Sequence, residues 1–551
     1  MFTPDSEAWG PMHMSRAAKA VSRATELMAS PSAVLSILLI YVVFHAALRL
    51  MISETIEVDH VEQAIFSQTL AWVYGLNQPP LYTWLQWSVN QIAGVSVASF
   101  ILVKYAFFLA MWVIYYAIAR RVLGKTVWAG VATLSLLLLY QIGWKIHLGV
   151  THTAMVMFAC AATLLVVLHL VERGGSRSVL DYMLLGLAVG IGMMSKYGYF
   201  LFLFALIASA MMQSGVRQVL LDRRALITVG VALMLFSPLG IAIADAAFAG
   251  QGPQTASSGG FAGYLSGLGP ALGQLFLSVL AFLMPMAVVV PALALSALRM
   301  KPRISILTSN ISGGTGTFDR GRLLLHLQLL ILGFLLVLVL VGAMTGFKER
   351  WMHPFLMFAP ILVVLWIKNA LDADLERTRK FLQRFIIALV CLTALVLVFR
   401  VGQGFFGPPF CNRCRVIVPL QSLTTAVVEA GFKGGVIIAQ NEHIGGNLRP
   451  QFPASSVHVP NYRFFDPGDS RETTPLESQQ CVIAWQDDAE RSGGLPAALA
   501  TFAKERAGIT VSPGTTGVPV DVIWAYGGKR PDFHWRFLIF RPRQQGCSAQ
   551  R

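Results

Sequence analysis

Between about Pro31 and Arg400 the chain is built from apolar runs of roughly 17 or more residues, and that recurrence leaves few folds open. A run of this length coiled as a helix crosses about 30 Å of hydrocarbon. It also satisfies its own backbone donors and acceptors, which lipid cannot do. Runs fall at 32–52, 98–119, 126–143, 152–171, 179–195, 197–213, 225–244, 271–298, 323–346, 353–371 and 385–400. They predict a polytopic α-helical membrane protein with about 11 or more transmembrane helices, the eighth kinked at Pro285 and Pro291. Only 13% of the residues are charged, against about 25% in ordinary soluble domains.

The net charge of +15 does not point to nucleic acid. Residues 401–551 carry 15 Lys and Arg against 12 Asp and Glu, so that region holds only +3. The remainder sits in short loops between apolar runs, such as Arg120, Arg121 and Lys125, Arg217, Arg223 and Arg224, or Arg377, Arg379 and Lys380. By the positive-inside rule these loops are cytoplasmic. The polar N-terminal tail 1–31 is then cytoplasmic too, with no cleavable signal peptide expected. An odd number of spans places residues 401–551 outside, in the periplasm of a Gram-negative cell, with the transmembrane part at 32–400.

Six basic residues run against that charge trend: Arg49, Lys104, Lys145, Lys196, Lys348 and Arg350. Snorkelling to the interface is the plain reading for Arg49 and Lys104. Lys196 interrupts two apolar spans, and Lys348 and Arg350 form a pair. Cations at membrane depth usually serve a site, and several facing one cavity suit a phosphate.

The first outside segment, 53–97, has no Lys or Arg and opens on Asp59-His60-Val61-Glu62-Gln63. Asp59 and Glu62 share a helix face at that spacing. A capping box, with Asp59 as N-cap and Glu62 at N3, is the structural explanation. A reactive carboxylate at a membrane interface is the functional one. Trp72, Tyr74, Tyr82, Trp84 and Trp87, broken by Asn77-Gln78-Pro79-Pro80, predict two amphipathic juxtamembrane helices roofing a cavity.

Four ordered landmarks resemble a known family: Asp59-His60-x-Glu62-Gln63, Gln78-Pro79-Pro80-Leu81-Tyr82-Thr83-Trp84, Ser195-Lys196-Tyr197 and Phe347-Lys348-Glu349-Arg350-Trp351-Met352-His353-Pro354. Over residues 35–365 they look like the GT-C superfamily of membrane glycosyltransferases. The branch is the one holding protein mannosyltransferase-related enzymes of glycosyltransferase family 39, the aminoarabinose transferase of lipid A and the galacturonosyl transferases of lipopolysaccharide core. Glu442-His443-Ile444-Gly445-Gly446-Asn447-Leu448-Arg449 is similar to the galacturonosyl-transferase-like branch.

The resemblance implies a GT-C fold and an inner-membrane enzyme that moves a sugar, with inversion, from a polyprenyl-phosphate donor to a lipid or glycan acceptor on the outer face. Asp59 would be the base, with Glu62 and His60 beside it. Lys196, Lys348, Arg350 and Lys145 would hold the donor phosphate. Gln63, Gln78, Tyr82, Trp84, His152, Tyr197 and His353 would shape the substrate cavity. Carboxylate near the acceptor oxygen and cations on the leaving phosphate are what such a transfer needs. The chain departs from the family where relatives carry Asp-Glu at 59–60, and where a second acid is expected near Val150-Thr151-His152-Thr153. His60, His147 and His152 stand near those places. They orient the acceptor, bind a divalent metal through His60 and His152, or are ordinary interfacial histidines.

Other features carry less. Ser312-Gly313-Gly314-Thr315-Gly316-Thr317 lacks the ending of a P-loop and reads as a linker. The 245–270 loop is Gly- and Ser-rich, either a lid over the cavity or a plain connector. Cys411, Cys414, Cys481 and Cys547 lie in the outside region as disulfide candidates, the first two pairing with each other or with the others. Short β-type runs at 436–439, 456–459, 482–485, 522–526 and 535–540, alternating with helical stretches, predict a small C-terminal α/β domain. A polyprenyl-linked lipid transporter and an inactive scaffold of the same fold are the competing readings.

Overall fold

A computed structural model describes residues 26–75, 78–248, 260–298, 318–371, 373–407, 410–411, 414–460, 480–487, 494–523 and 533–540. Residues 1–25, the Gly- and Ser-rich segment 251–259, the linker at 312–317 and Cys547 lie outside the described residues.

The bundle comprises α1 (Pro31–Ile52), α2 (Val58–Phe66), α3 (Leu81–Ala93), α4 (Val97–Leu123), α5 (Thr126–Leu134), α6 (His152–Arg173), α7 (Val179–Met193), α8 (Gly198–Met211), α9 (Ala225–Phe248), α10 (Gly260–Leu283), α11 (Met286–Leu298), α12 (Arg320–Leu340), α13 (Ala359–Leu371) and α14 (Leu375–Phe405). Seven of these, α1, α4, α6, α9, α10, α12 and α14, are long and apolar enough to cross a membrane. Glu349–Leu356 and α13, bent by 58° at a short break, pass the same test together, as an eighth, broken span or as a re-entrant loop. Among the described residues there are also four shorter apolar helices, at Thr126–Leu138, Val179–Met193, Gly198–Met211 and Met286–Ala297. The chain is a multi-pass membrane protein.

Two sequence expectations change. The run at 271–298 is two helices, α10 and α11, that meet at Met284 and Pro285, because proline has no N–H to continue the ladder. The second half of the expected 245–270 loop, from Gly260, is already helical. Its Phe261, Tyr264, Leu265 and Leu268 repeat at helical spacing.

Helix ends follow local chemistry. Ser96 and Ser99 close a reciprocal capping box at the start of α4, which stops at Gly124 with φ 75°. At the end of the bundle reached by the last turns of α4 and α6, Glu172 takes Arg121 at 3.2 Å and Arg320 at 3.0 Å. These exposed pairs tie three helices at their polar ends and contribute little stability each.

Beyond α14 comes a five-stranded sheet with strand order β2-β1-β3-β5-β4, where β1 is Gly435–Ala439, β2 Ser456–His458, β3 Gln480–Gln486, β4 Val518–Val522 and β5 Phe533–Phe540. β1 pairs in parallel with β2 and β3, while β5 runs antiparallel to β3 and β4. The fourth strand therefore lies earlier than the expected 522–526. Helices α15 (Leu420–Glu429) and α16 (Glu442–Leu448) cover one face, and α17 (Ala497–Ala507) covers the other. That explains why β1 is apolar at every position: Ile437 and Ala439 enter one core and Val436 and Ile438 the other. Ile65 of α2 belongs to the sheet domain's core, so the domain is packed against the bundle.

Candidate active site

A cavity of about 1230 Å³ is lined by the bundle and by residues of the 410–416 segment, which leads from α14 to the sheet domain. Asp59, Glu62 and Gln78 line it from the first loop, Lys145 and Thr153 from the segment around the start of α6, and Lys196 from the break between α7 and α8. Lys348, Arg350 and His353 line it from the segment that precedes α13. Residues separated by nearly 300 positions in sequence thus share one space.

Asp59 and Glu62 stand on α2, which begins at Val58 with Glu57 as its N-cap and no side-chain cap bond. The expected capping box is absent, because the helix starts before Asp59 and places that residue in its first turn. The carboxylates are turned into the cavity instead. Val58 holds φ 38°, a left-handed conformation costly for a β-branched residue. Gly149 passes so close beneath that a Cβ there would meet Glu57 O at 2.8 Å and the Asp59 nitrogen at 3.0 Å.

The electrostatics set the two acids apart from ordinary carboxylates. Burial pushes Asp59 up to about 6, against the opposing pull of Lys196, Arg350 and Lys104. Burial, together with the neighbouring charges of Asp59 and Glu442, pushes Glu62 up to about 7. Lys196 donates to Thr153 Oγ1 at 2.9 Å, and its own pKa is lowered by burial despite Asp59. The Lys348 ammonium lies 6.0 Å from the Trp351 ring centroid. His353 sets its Nδ1 at 2.7 Å from Arg350 O, fixing the backbone that carries the arginine.

The other predicted residues stand behind this surface. Gln63 meets His152 Nε2 at 3.1 Å, and Tyr82 packs on the His152 ring at 5.2 Å between centroids. Trp84 donates to Ala71 O at 2.7 Å and bolts the 67–80 segment to α3. His60 is buried and stacks on Phe100 at 5.8 Å, and Tyr197 is half-buried next to Lys196. His60 and His152 each have their own neighbours, and among the described residues no group of three His, Cys, Asp or Glu side chains converges. The described residues around His60 and His152 do not fit a metal site. Arg49 and Lys104 are not snorkelling. Both are buried, Arg49 donating to the carbonyls of Ser53 and Thr55 and Lys104 to Leu148 O at 3.2 Å.

Cys411 and Cys414 form a disulfide with each other at the cavity's edge. Cys481 is also disulfide-bonded.

Solved structures share this fold. ArnT from Cupriavidus metallidurans, in its structure bound to undecaprenyl phosphate, superposes with a TM-score of 0.53 at 12% identity, covering 91% of this chain and 98% of that one. The chain has the GT-C fold. Within it, residues 77–241 match the family model of dolichyl-phosphate-mannose-protein mannosyltransferase. Two lipopolysaccharide core galacturonosyltransferases of Rhizobium johnstonii are similar in sequence. RgtA is 29% identical over 77% of this chain and 81% of its own, and RgtB 27% identical over 92% and 96%.

Some residues of this cavity are not marked by any sequence pattern. Glu57, Arg400, Gln403 and Arg415 also line the cavity. Asn447 and Arg449 grip the loop and helix that carry the carboxylates. Arg449 donates to the carbonyls of Ala64 and Ser67. The Glu442–Arg449 stretch was visible as a motif. Nothing in the sequence showed that its target is α2.

Proposed function

We propose that the protein transfers a sugar from a polyprenyl-phosphate donor to a lipid or glycan acceptor of the cell envelope, with inversion, at the periplasmic face of the inner membrane. The observation that carries this is the shared cavity of Asp59 and Glu62 with Lys196, Lys348 and Arg350. Asp59 takes the acceptor hydroxyl's proton as the oxygen attacks the anomeric carbon. The glycosidic bond forms as the sugar–phosphate bond breaks, and the departing phosphate carries its charge to Lys348 and Arg350. Lys196 stands between the two functions, keeping Asp59 ionised while adding positive charge near the leaving group.

The names of the two similar Rhizobium johnstonii proteins support a uronic acid as the sugar and lipopolysaccharide core as the acceptor. The test is mass spectrometry of envelope glycolipids from cells with and without the gene, complemented by wild type or by Asp59→Asn. Loss of one hexuronic acid mass, restored by wild type alone, is the expected result. An unchanged glycolipid profile contradicts the reading and favours a transporter or scaffold.

A further inference from the structure

Part of the cavity wall takes no part in the chemistry above. Leu392, Leu395, Val396, Phe399 and Gln403 of α14 all line the cavity and recur at i, i+3, i+4, i+7 and i+11, a single helix face. Leu395 and Phe399 are 51% and 41% exposed, so the stripe is open. It leads to Arg400, which also lines the cavity and is only 1% exposed. Its Nη1 donates to Gln403 Oε1 at 3.1 Å, and its Nε has no hydrogen-bond partner. Among the described residues it forms no ion pair.

A guanidinium withdrawn from water without a counter-charge is costly, and at membrane depth such a group marks a substrate path. Arg415 lines the same cavity. The wall is therefore ordered as an amphiphile is ordered. Apolar side chains occupy Leu392–Phe399, and Arg400 and Arg415 follow them along the chain, towards the sheet domain.

We propose that the α14 wall is the subsite for an acidic acceptor glycolipid. Its phosphate or carboxylate sits on Arg400 and its chain lies along Leu392–Phe399. This rests on the reading that Lys196, Lys348 and Arg350 take the donor phosphate, which leaves Arg400 for a second anion.

The experiment measures binding, without donor, of rough-type lipopolysaccharide to the full-length purified protein. Dephosphorylated and carboxyl-reduced preparations of the same lipopolysaccharide are compared. Arg400→Gln should weaken binding of the unmodified probe about tenfold, the worth of one hydrogen bond to a charged group, while Arg121→Gln, at the exposed polar end of α4 and outside the cavity, leaves it unchanged. The preparation lacking the acid that Arg400 holds should bind wild type equally weakly and show no further loss in Arg400→Gln, which tells phosphate from carboxylate. If Arg400→Gln does not fold, Arg400→Lys and the wild-type comparison of the three preparations carry the test. Equal binding by wild type and a folded Arg400→Gln overturns the proposal. So does indifference of wild type to both modifications, or failure of wild type to bind the lipopolysaccharide. Binding as predicted without sugar transfer would instead refute the function proposed for the protein and leave this subsite standing.

Discussion

Asn447 closes both hydrogen-bonding positions of Ile56: its Oδ1 accepts from Ile56 N–H at 2.6 Å, and its Nδ2 donates to Ile56 O at 3.0 Å. Ile56 lies three residues before Asp59, so a side chain of the sheet domain sets the backbone that enters α2. Asn447→Ala leaves a buried N–H and C=O unsatisfied. It should cost on the order of 2–4 kcal/mol, read as a lowered melting temperature of the purified protein, with transfer falling in parallel. Unchanged melting would show that the sheet domain does not hold this loop.

Gly446 gives a complementary test. A Cβ there would meet Val61 Cγ1 at 2.8 Å and Val61 O at 3.0 Å. Gly446→Ala should push α16 from α2 and destabilise by about 1–3 kcal/mol. Transfer per folded molecule should fall with it, measured on protein that survives gel filtration.

The pH dependence follows from Asp59. A base must be ionised, and burial has raised this carboxyl to about 6. Transfer should therefore fall about tenfold per pH unit below about 6, and not near 4 as for an exposed aspartate. Because Lys196 pulls the Asp59 value down, Lys196→Met removes that pull and should move the acidic limb to higher pH. A limb that stays in place in Lys196→Met would separate the two groups functionally.

Lys348→Ala and Arg350→Ala should raise the donor KM about tenfold or more each, the loss expected for a charge-assisted contact, with acceptor KM unchanged. Steady-state kinetics with each substrate varied in turn distinguishes this from a general weakening.

The membrane bundle was legible in the sequence because lipid forces long apolar helices, and the sheet because short β-type runs alternate with helical stretches. The break at Pro285 was seen only as a kink, since sequence gives the missing N–H but not the direction the chain takes afterwards. Lys196 and Arg350 were legible as exceptions to charge placement, and Asp59 as part of an acidic cluster in a first loop without Lys or Arg. Arg400 was not, because an arginine closing an apolar run looks like any interfacial residue until the cavity beside it is seen. The capping box failed for a similar reason: spacing fits Asp59 and Glu62 equally well as a cap and as a face, and tertiary packing at Gly149 and Asn447 starts the helix at Val58.

Purified Asp59→Asn, supplied with polyprenyl-phosphate-linked sugar and acceptor, tests whether Asp59 is the base. The predicted result is loss of transfer by about a hundredfold or more, with an unchanged melting temperature and unchanged donor binding. Transfer at the wild-type rate by that variant would contradict the account.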